Sequence, residues 1–366
     1  MSILIILCVI LFYVGQLIEQ LPSRFVAYIF NAILFIAVLY CFLDLTYTAD
    51  WDMYYYFYKY ENDKTDLVFQ LLTLIFKKLY LSYNHLFKFH IIVAVSIYYL
   101  LISRFTKNIF FVFLAYLILD NVHFVNQIRY YLGFPILMMG YYLLFYKRQY
   151  ILSVVFILIS ILCHSGLSFL LICIPIYYLV PTKKYYGYIL IFSSIVFLIT
   201  LYIFNSALGE ILKHYGSYFA KDNVSSFLGG LFNAIPYIIF MAFLYIETYF
   251  LIKRQPEILE DAKFIFLYKI SFFSVIFIPA SFLIQVIGHR YVMAFSVFWV
   301  LYYYLYFIKN KKSRKQLIKF ILLCSIVFAS AIFIYIIPGY LFSENHFLEE
   351  FLEMVKSSDN LKGLID

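Results

Sequence analysis

Charge is what this chain has least of. Only 13% of its 366 residues are Asp, Glu, Lys or Arg, against 65% hydrophobic residues and a mean hydropathy of +0.90. A soluble core cannot absorb that much apolar surface, so a water-soluble globular fold is excluded. Alternating segments of about ten residues, the signature of a membrane β-barrel, are absent. No P-loop, GxGxxG or kinase-like pattern occurs, which disfavours nucleotide chemistry. The five cysteines, Cys8, Cys41, Cys163, Cys173 and Cys324, form no CxxC and keep no Cys/His ligand spacing. Neither a disulfide framework nor a zinc site is expected from them. Ser165 has no G-x-S-x-G around it, and Asp50 and Asp52 lack the rest of an EF-hand loop. The net charge of +8 does not call for nucleic acid, because its distribution follows the apolar runs.

Those runs are what the chain does have. They fall at roughly 2–18, 25–43, 86–103, 109–121, 131–146, 150–163, 167–181, 185–204, 229–252, 263–287, 291–308 and 318–337. Each approaches the ~20 residues that cross a bilayer as a helix. The expected fold is an all-α polytopic membrane protein with about twelve transmembrane helices. The first run lacks a basic n-region and a small-residue cleavage site, and is expected to be the first span rather than a removed signal peptide. Residues 1–342 are expected to form one transmembrane domain, followed by a polar tail at 343–366 to which no function is assigned.

Basic clusters set the orientation. Arg24, Arg104/Lys107, Lys147/Arg148, Lys183/Lys184, Lys253/Arg254 and Lys309–Lys319 recur at every second turn between spans. Short loops rich in Lys and Arg stay in the cytoplasm, which places both termini outside. With Lys263 and Lys269 also counted inside and Glu247 set within a span, the inner side holds 17 of the 28 basic and 4 of the 20 acidic residues, a net +13, and the outer side is left at −4. The segment Leu67–Leu81 would reverse this arrangement as a full span. Its Gln70, Thr73, Lys77 and Lys78 instead suggest a helix lying in the outer interface or re-entering it.

The irregular polar sequence then gathers on the outer side. Arg129 lies in Asn126-Gln127-Ile128-Arg129-Tyr130-Tyr131, between two long apolar runs. Two readings are open for it: a cation gripping a phosphate through its fork of donors, or an arginine snorkelling into headgroups. The amides of Asn126 and Gln127, with Tyr130, favour the first. Arg290, in Gly288-His289-Arg290-Tyr291, opens another span on the same side. Two arginines at helix starts on one face suit a pyrophosphate better than either alone. They could neutralise a leaving group without a divalent metal. His164, in Cys163-His164-Ser165-Gly166, could act as a general base, or could be a turn histidine satisfied by the backbone. His289 is a weaker base beside Arg290. The loop Thr46–Tyr56 gathers Asp50, Asp52 and rings such as Tyr55. Carboxylates beside aromatic faces suit a sugar, although an interfacial aromatic belt would also contain them.

Together these stretches resemble the EpsG-like branch of the Wzy O-antigen and exopolysaccharide polymerases. The resemblance runs from about Tyr47 to about Tyr303. Its most specific part is Asn126-Gln127-Ile128-Arg129 opening a helix, with His164 some 35 residues later at a span end. The Gly-Tyr-Glu-Pro-like element of the family is only faintly echoed by Asp63–Phe69. The resemblance implies a GT-C-like glycosyltransferase in the bacterial inner membrane, working at the periplasmic face without cofactor or metal. Donor and acceptor would be oligosaccharides on undecaprenyl pyrophosphate, which leaves as the acceptor hydroxyl attacks the anomeric carbon. Arg129 and Arg290 match the family's pyrophosphate-holding arginines, His164 its histidine, and Asp50 or Asp52 its loop acid. Asn126, Gln127, Tyr55, Tyr130, His289 and Tyr291 would contact substrate. Membrane lipids and a chain-length regulator protein are the expected partners, and nucleic acid is not. A flippase for lipid-linked units is one alternative, but it needs cations along a path from the cytoplasm. An O-antigen ligase or another outer-face transferase, such as an acyltransferase, is the other.

Overall fold

The computed structural model describes residues 13–15, 17–18, 20–21, 23–48, 50–61, 66–120, 123–204, 227–284, 287–309, 314–336, 353–354 and 356–357. Among them every regular element is helical and no strand forms. Five helices are long and apolar enough to cross a bilayer: Tyr83–Ser103, Thr182–Ile203, Ala234–Arg254, Ala262–Ser281 and Arg290–Lys309. Shorter apolar helices, Arg24–Ala37, Ile109–Leu119, Tyr150–Cys163 and Ser165–Leu179, accompany them. The chain is a multi-pass membrane protein, because only helices satisfy the backbone of so many apolar segments within lipid. The runs expected between residues 25 and 337 are helical over their described residues except at Val180, Pro181 and 282–284. Most of the expected first span at 2–18 lies outside the described residues, as do Asp63–Thr65, the loop Asn205–Ser226 and most of the tail. The fold divides into two compact units. One is built from segments within 6–117, 122–171 and 348–366, the other from segments within 1–5, 118–121 and 172–347.

The first unit contains α1 (Arg24–Leu43), α2 (Trp51–Tyr60), α3 (Leu67–Lys78), α4 (Tyr83–Ser103), α5 (Ile109–Asp120), α6 (Ile128–Tyr141) and α7 (Tyr150–Cys163). A π-helical turn, Tyr142–Lys147, prolongs α6. Helix α6 is the centre, packed against both α4 and α7, with every residue from Tyr130 to Tyr141 buried. Two glycines allow its close approach to α7. A Cβ at Gly133 would come within 2.5 Å of Leu167 Cδ1 and 2.9 Å of the Ser160 carbonyl, and one at Gly140 within 3.0 Å of Ile157 Cγ1. Helix α7 answers with a buried stripe of Ser153, Ile157, Ser160 and Cys163. Small residues at such a seam let backbones pack tightly where lipid supplies no hydrophobic drive. The opposite face of α7, with Ile151, Val155, Leu158 and Leu162, is exposed, as a lipid-facing surface would be.

Polar side chains pin the remaining helices. Asn31 is fully buried in α1. Its Nδ2 donates to the Ala27 and Lys107 carbonyls, and its Oδ1 accepts the N–H of Phe110 at the start of α5. At the other end of the unit, α3 is only 12 residues long. That is ~18 Å at 1.5 Å per residue, well short of a ~30 Å hydrocarbon core. It turns Leu67, Leu71, Leu74 and Ile75 outward and tucks Phe69 and Thr73 inward, the pattern expected of a helix lying at an interface. The described part of the tail rests nearby: Thr46 Oγ1 donates to the Ser357 carbonyl at 3.2 Å.

The second unit contains α8 (Cys173–Leu179), α9 (Tyr185–Phe204), α10 (Phe227–Arg254), α11 (Ala262–Phe273), α12 (Ser296–Tyr303) and α13 (Arg314–Ile336). The spans built on α11 and α12 are 89% and 94% buried, whereas the span of α9 is 17% buried. The first two are core, and α9 is wall. Lys269, counted on the inner side in the sequence, is buried within α11. Its Nζ donates to the Tyr177 and Val180 carbonyls, both at 2.7 Å, and lies over the rings of Tyr177 and Tyr185. The ammonium thus caps the C-terminal end of α8, where carbonyls lack intrahelical donors. Glu247, the acid inside α10, is met by Lys319 Nζ at 2.6 Å and Gln316 Nε2 at 3.1 Å.

Candidate functional site

A candidate functional centre lies in the first unit where α2, α3, α6 and α7 meet. Gln127 occupies the N-cap position of α6, so Arg129 falls in its first turn. The guanidinium cannot reach water easily: its side chain is 11% exposed and that of Asp66 is 3% exposed. Arg129 Nη1 meets Asp66 Oδ2 at 2.9 Å. Asp66 is the N-cap residue of α3, but its side chain does not cap that helix. Its Oδ1 instead accepts the backbone N–H of Ser165 at 3.1 Å. One carboxylate therefore ties the starts of α3 and α6 to the turn after α7.

Rings enclose the pair. Arg129 Cζ lies 4.9 Å from the ring centre of Tyr54, 5.3 Å from Phe57 and 5.5 Å from Phe69. Helix α2 supplies Tyr54 and Phe57, and α3 supplies Phe69. A guanidinium is weakly hydrated and stacks on aromatic faces, which makes this cage tolerable for a fixed charge. His164 stands beside it, its ring 5.4 Å from that of Tyr130 and nearly perpendicular. The N–H of Gly166 donates to His164 Nδ1 at 3.0 Å. That bond assigns the proton of the neutral ring to Nε2. In this arrangement His164 offers a donor, whereas a general base would have to present an open lone pair.

Several buried polar atoms around the pair have no hydrogen-bond partner among the described residues: Asn126 Oδ1, Thr73 Oγ1, Tyr83 OH and Asn84 Oδ1. Such orphans cost about 1–3 kcal/mol each unless water or a ligand meets them. Thr73 also lines a cleft of about 120 Å³, with Phe57, Phe69, Glu61, Gln70 and Leu74. Glu61 holds this position in a left-handed conformation (φ 55°) and pairs with Lys77 at 2.7 Å. A carboxylate, an amide, a hydroxyl and two rings around a cleft of this size form the donor, acceptor and apolar set that a sugar ring requires.

Most of the residues expected from sequence in this unit meet at the centre. Arg129, Tyr130 and His164 lie in it, and Asn126 and Gln127 are in the turn leading to Arg129. Tyr55 packs on Tyr83, their rings 6.1 Å apart, and Asp50 and Arg129 both exert charge on the Tyr83 hydroxyl. Asp52 is exposed in the first turn of α2. Arg290, His289 and Tyr291 belong to the second unit. There Gly288–Val292 forms a π-helical turn, and Tyr291 packs on Phe277 at 5.2 Å. The side chain of His289 lies outside the description. No partner for Arg129 was named from the sequence; in the structure Asp66 is its partner. Two signals pointed to it: a buried arginine demands a carboxylate on its own side of the membrane, and an Asp immediately before an apolar helical run is a helix N-cap.

The helices also separate the two ends of the unit. Helix α4, 21 residues and ~31 Å long, runs from Tyr83 beside the caged pair to Arg104. Helix α6 and its π turn run from Arg129 to Lys147. The caged arginine and the basic pair Arg104 and Lys147 are therefore about one hydrocarbon thickness apart.

A family model described as the EpsG family covers residues 26–348. No curated protein and no solved structure matches the chain.

Proposed function

The chain belongs to the EpsG family, and from that premise we propose that it is a polysaccharide polymerase joining oligosaccharide units carried on undecaprenyl pyrophosphate. The proposal includes about twelve spans in a GT-C-like arrangement in the bacterial inner membrane, with the site facing the periplasm. The observation that carries it is the Arg129–Asp66 pair, caged by Tyr54, Phe57 and Phe69. Its position at the end of α4 and α6 opposite Arg104 and Lys147 supports an outer-face site, because basic loop ends stay inside.

At rest, Asp66 Oδ2 meets Nη1 of Arg129 as a phosphate oxygen would. An incoming pyrophosphate competes for the same guanidinium, and the exchange releases a carboxylate beside the reacting sugar. Leaving-group charge is then spread onto Arg129 and the Nε2–H of His164, both donors. The acceptor hydroxyl oxygen bonds to the anomeric carbon, the bond from that carbon to pyrophosphate oxygen breaks with its electron pair, and the hydroxyl proton passes to Asp66. The cleft of Glu61, Gln70 and Thr73 would hold a sugar of one substrate. Arg290 remains a second candidate cation, tested by its own substitution. No step needs a metal or a nucleotide, because the leaving group is already a pyrophosphate.

The test is glycan length in a deletion strain carrying variants. Arg129→Lys keeps the charge without the fork. It should leave single repeat units on lipid A–core or carrier, with the protein still in the membrane. Long glycan from Arg129→Lys and from Asp66→Asn alike would overturn the assignment. Repeat units trapped on the cytoplasmic face of the deletion strain would indicate a flippase. Long polymer accumulating on the carrier would indicate a ligase.

A further inference from the structure

We propose that the cleft at the Lys147 end of the first unit is a binding site for the phosphate of an anionic membrane lipid. This inference is independent of the polymerase reading. The cleft has a volume of about 450 Å³ and is lined by Arg24, Tyr28, Tyr99, Leu100, Ser103, Arg104, Tyr142 and Lys147. Three cations thus converge from three segments that are distant in sequence: the start of α1, the residue after α4 and the end of the π turn after α6. No carboxylate is among the described residues that line it. Three like charges facing one cavity repel each other unless an anion joins them.

The walls are built rather than incidental. Tyr99 OH donates to the Tyr28 carbonyl at 2.7 Å, and Tyr28 OH donates to the Ser103 carbonyl at 3.3 Å, so α1 and α4 are fastened together at the cleft. Lys147 Nζ lies over the rings of Tyr142 and Tyr146, at 5.9 and 5.3 Å, which holds its stem in place and leaves the ammonium at the cavity. The rim is apolar on the lipid side: Leu100 is 48% exposed, and Phe25 and Val26, next to Arg24, are 70% and 47% exposed. A soluble phosphate would gain nothing from that rim, whereas a lipid would lay acyl chain along it. The location at the ends of membrane-length helices is where headgroup phosphates lie.

The experiment uses the full-length protein in detergent and in nanodiscs, with native mass spectrometry to count retained lipid. Phosphatidylglycerol should remain bound through delipidation in preference to phosphatidylcholine. Each cation near an anionic headgroup contributes roughly fivefold. Accordingly Arg24→Gln, Arg104→Gln and Lys147→Gln should each weaken retention about fivefold, and the triple variant on the order of a hundredfold. A control that removes two other basic residues, Lys183→Gln/Lys184→Gln, should leave retention unchanged. Equal phosphatidylglycerol retention by wild type and by all three single variants would overturn the proposal, whether or not the triple variant folds. An equal loss in the control would overturn it too, because generic surface charge would then suffice. In a third arm, inorganic phosphate at millimolar concentration is added to the delipidated protein. Thermal stabilisation as large as that given by phosphatidylglycerol would assign the site to a soluble anion and refute the lipid.

Discussion

The two ends of α6 place cations in opposite circumstances. At the start, a single guanidinium sits in a nearly dry cage with its own carboxylate, 2.9 Å away, and three rings around it. At the finish, Lys147 joins Arg24 and Arg104 around an open cleft with no acid among its described lining residues. A charge with a built-in counterion can be kept buried until a stronger anion displaces that counterion, so the arrangement is poised for exchange. A cluster without a counterion is a standing attraction for whatever anion the membrane surface supplies. The same residue types therefore have different uses, and what separates them is burial and the presence of Asp66.

Removing Arg129 should have the largest effect. Arg129→Met leaves the Asp66 carboxylate buried and unpaired, which costs about 3–5 kcal/mol in comparable pairs. Both thermal stability and glycan length should collapse. The double variant Asp66→Asn/Arg129→Met removes the stranded charge and should regain most of the stability, measured by thermal unfolding in detergent. Glycan length should not return. If the double variant also restores long glycan, the pair is structural only and the contrast between the two ends dissolves.

The next effect comes from the seam that carries the caged end. Gly133→Leu would drive a side chain into Leu167 and the Ser160 carbonyl. Overpacking of this kind costs typically 1–3 kcal/mol, and α6 has to shift to accommodate it. Glycan length should fall with stability. Gly140→Ala, where the nearest atom to a Cβ is Ile157 Cγ1 at 3.0 Å, should be milder in both readouts.

These expectations show how much the sequence disclosed. The apolar runs located the helices to within a few residues, because a bilayer imposes a minimum length and satisfies no backbone group. α7 and α9 have the expected boundaries, 150–163 and 185–204. Arg129, Tyr130 and His164 were legible because fixed charge and amides stand out between apolar runs. Asp66 was harder to see. Its pairing spans 63 positions along the chain, its bond to Ser165 spans 99, and no local pattern announces a contact of that range. Phe57 and Phe69 were hidden for another reason: in a chain that is 23% aromatic, one more ring carries no signal. The role of Lys269 was not legible either, because only the fold shows that it caps another helix.

The cage itself supports a finer test. Tyr54→Leu, Phe57→Leu and Phe69→Leu each keep apolar bulk but remove one ring from Arg129. A ring over a desolvated guanidinium is worth about 0.5–2 kcal/mol. Polymer output should drop several-fold at most for each, in proportion to ring distance, so that Tyr54 at 4.9 Å exceeds Phe69 at 5.5 Å. Tyr54→Phe, which keeps the ring, should be close to wild type.

Smallest of all should be the effect on glycan length of Lys147→Gln, because the Lys147 end holds no part of the proposed chemistry. Lipid retention should still fall about fivefold in the same variant. The converse should hold for Arg129→Lys, which should lose glycan length and keep lipid. That crossed pattern cannot arise from general destabilisation, which would lower both readouts in both variants. If Lys147→Gln shortens the glycan as strongly as Arg129→Lys does, charge at one end of α6 is coupled to chemistry at the other. The two ends would then have to be treated as one site spanning the membrane.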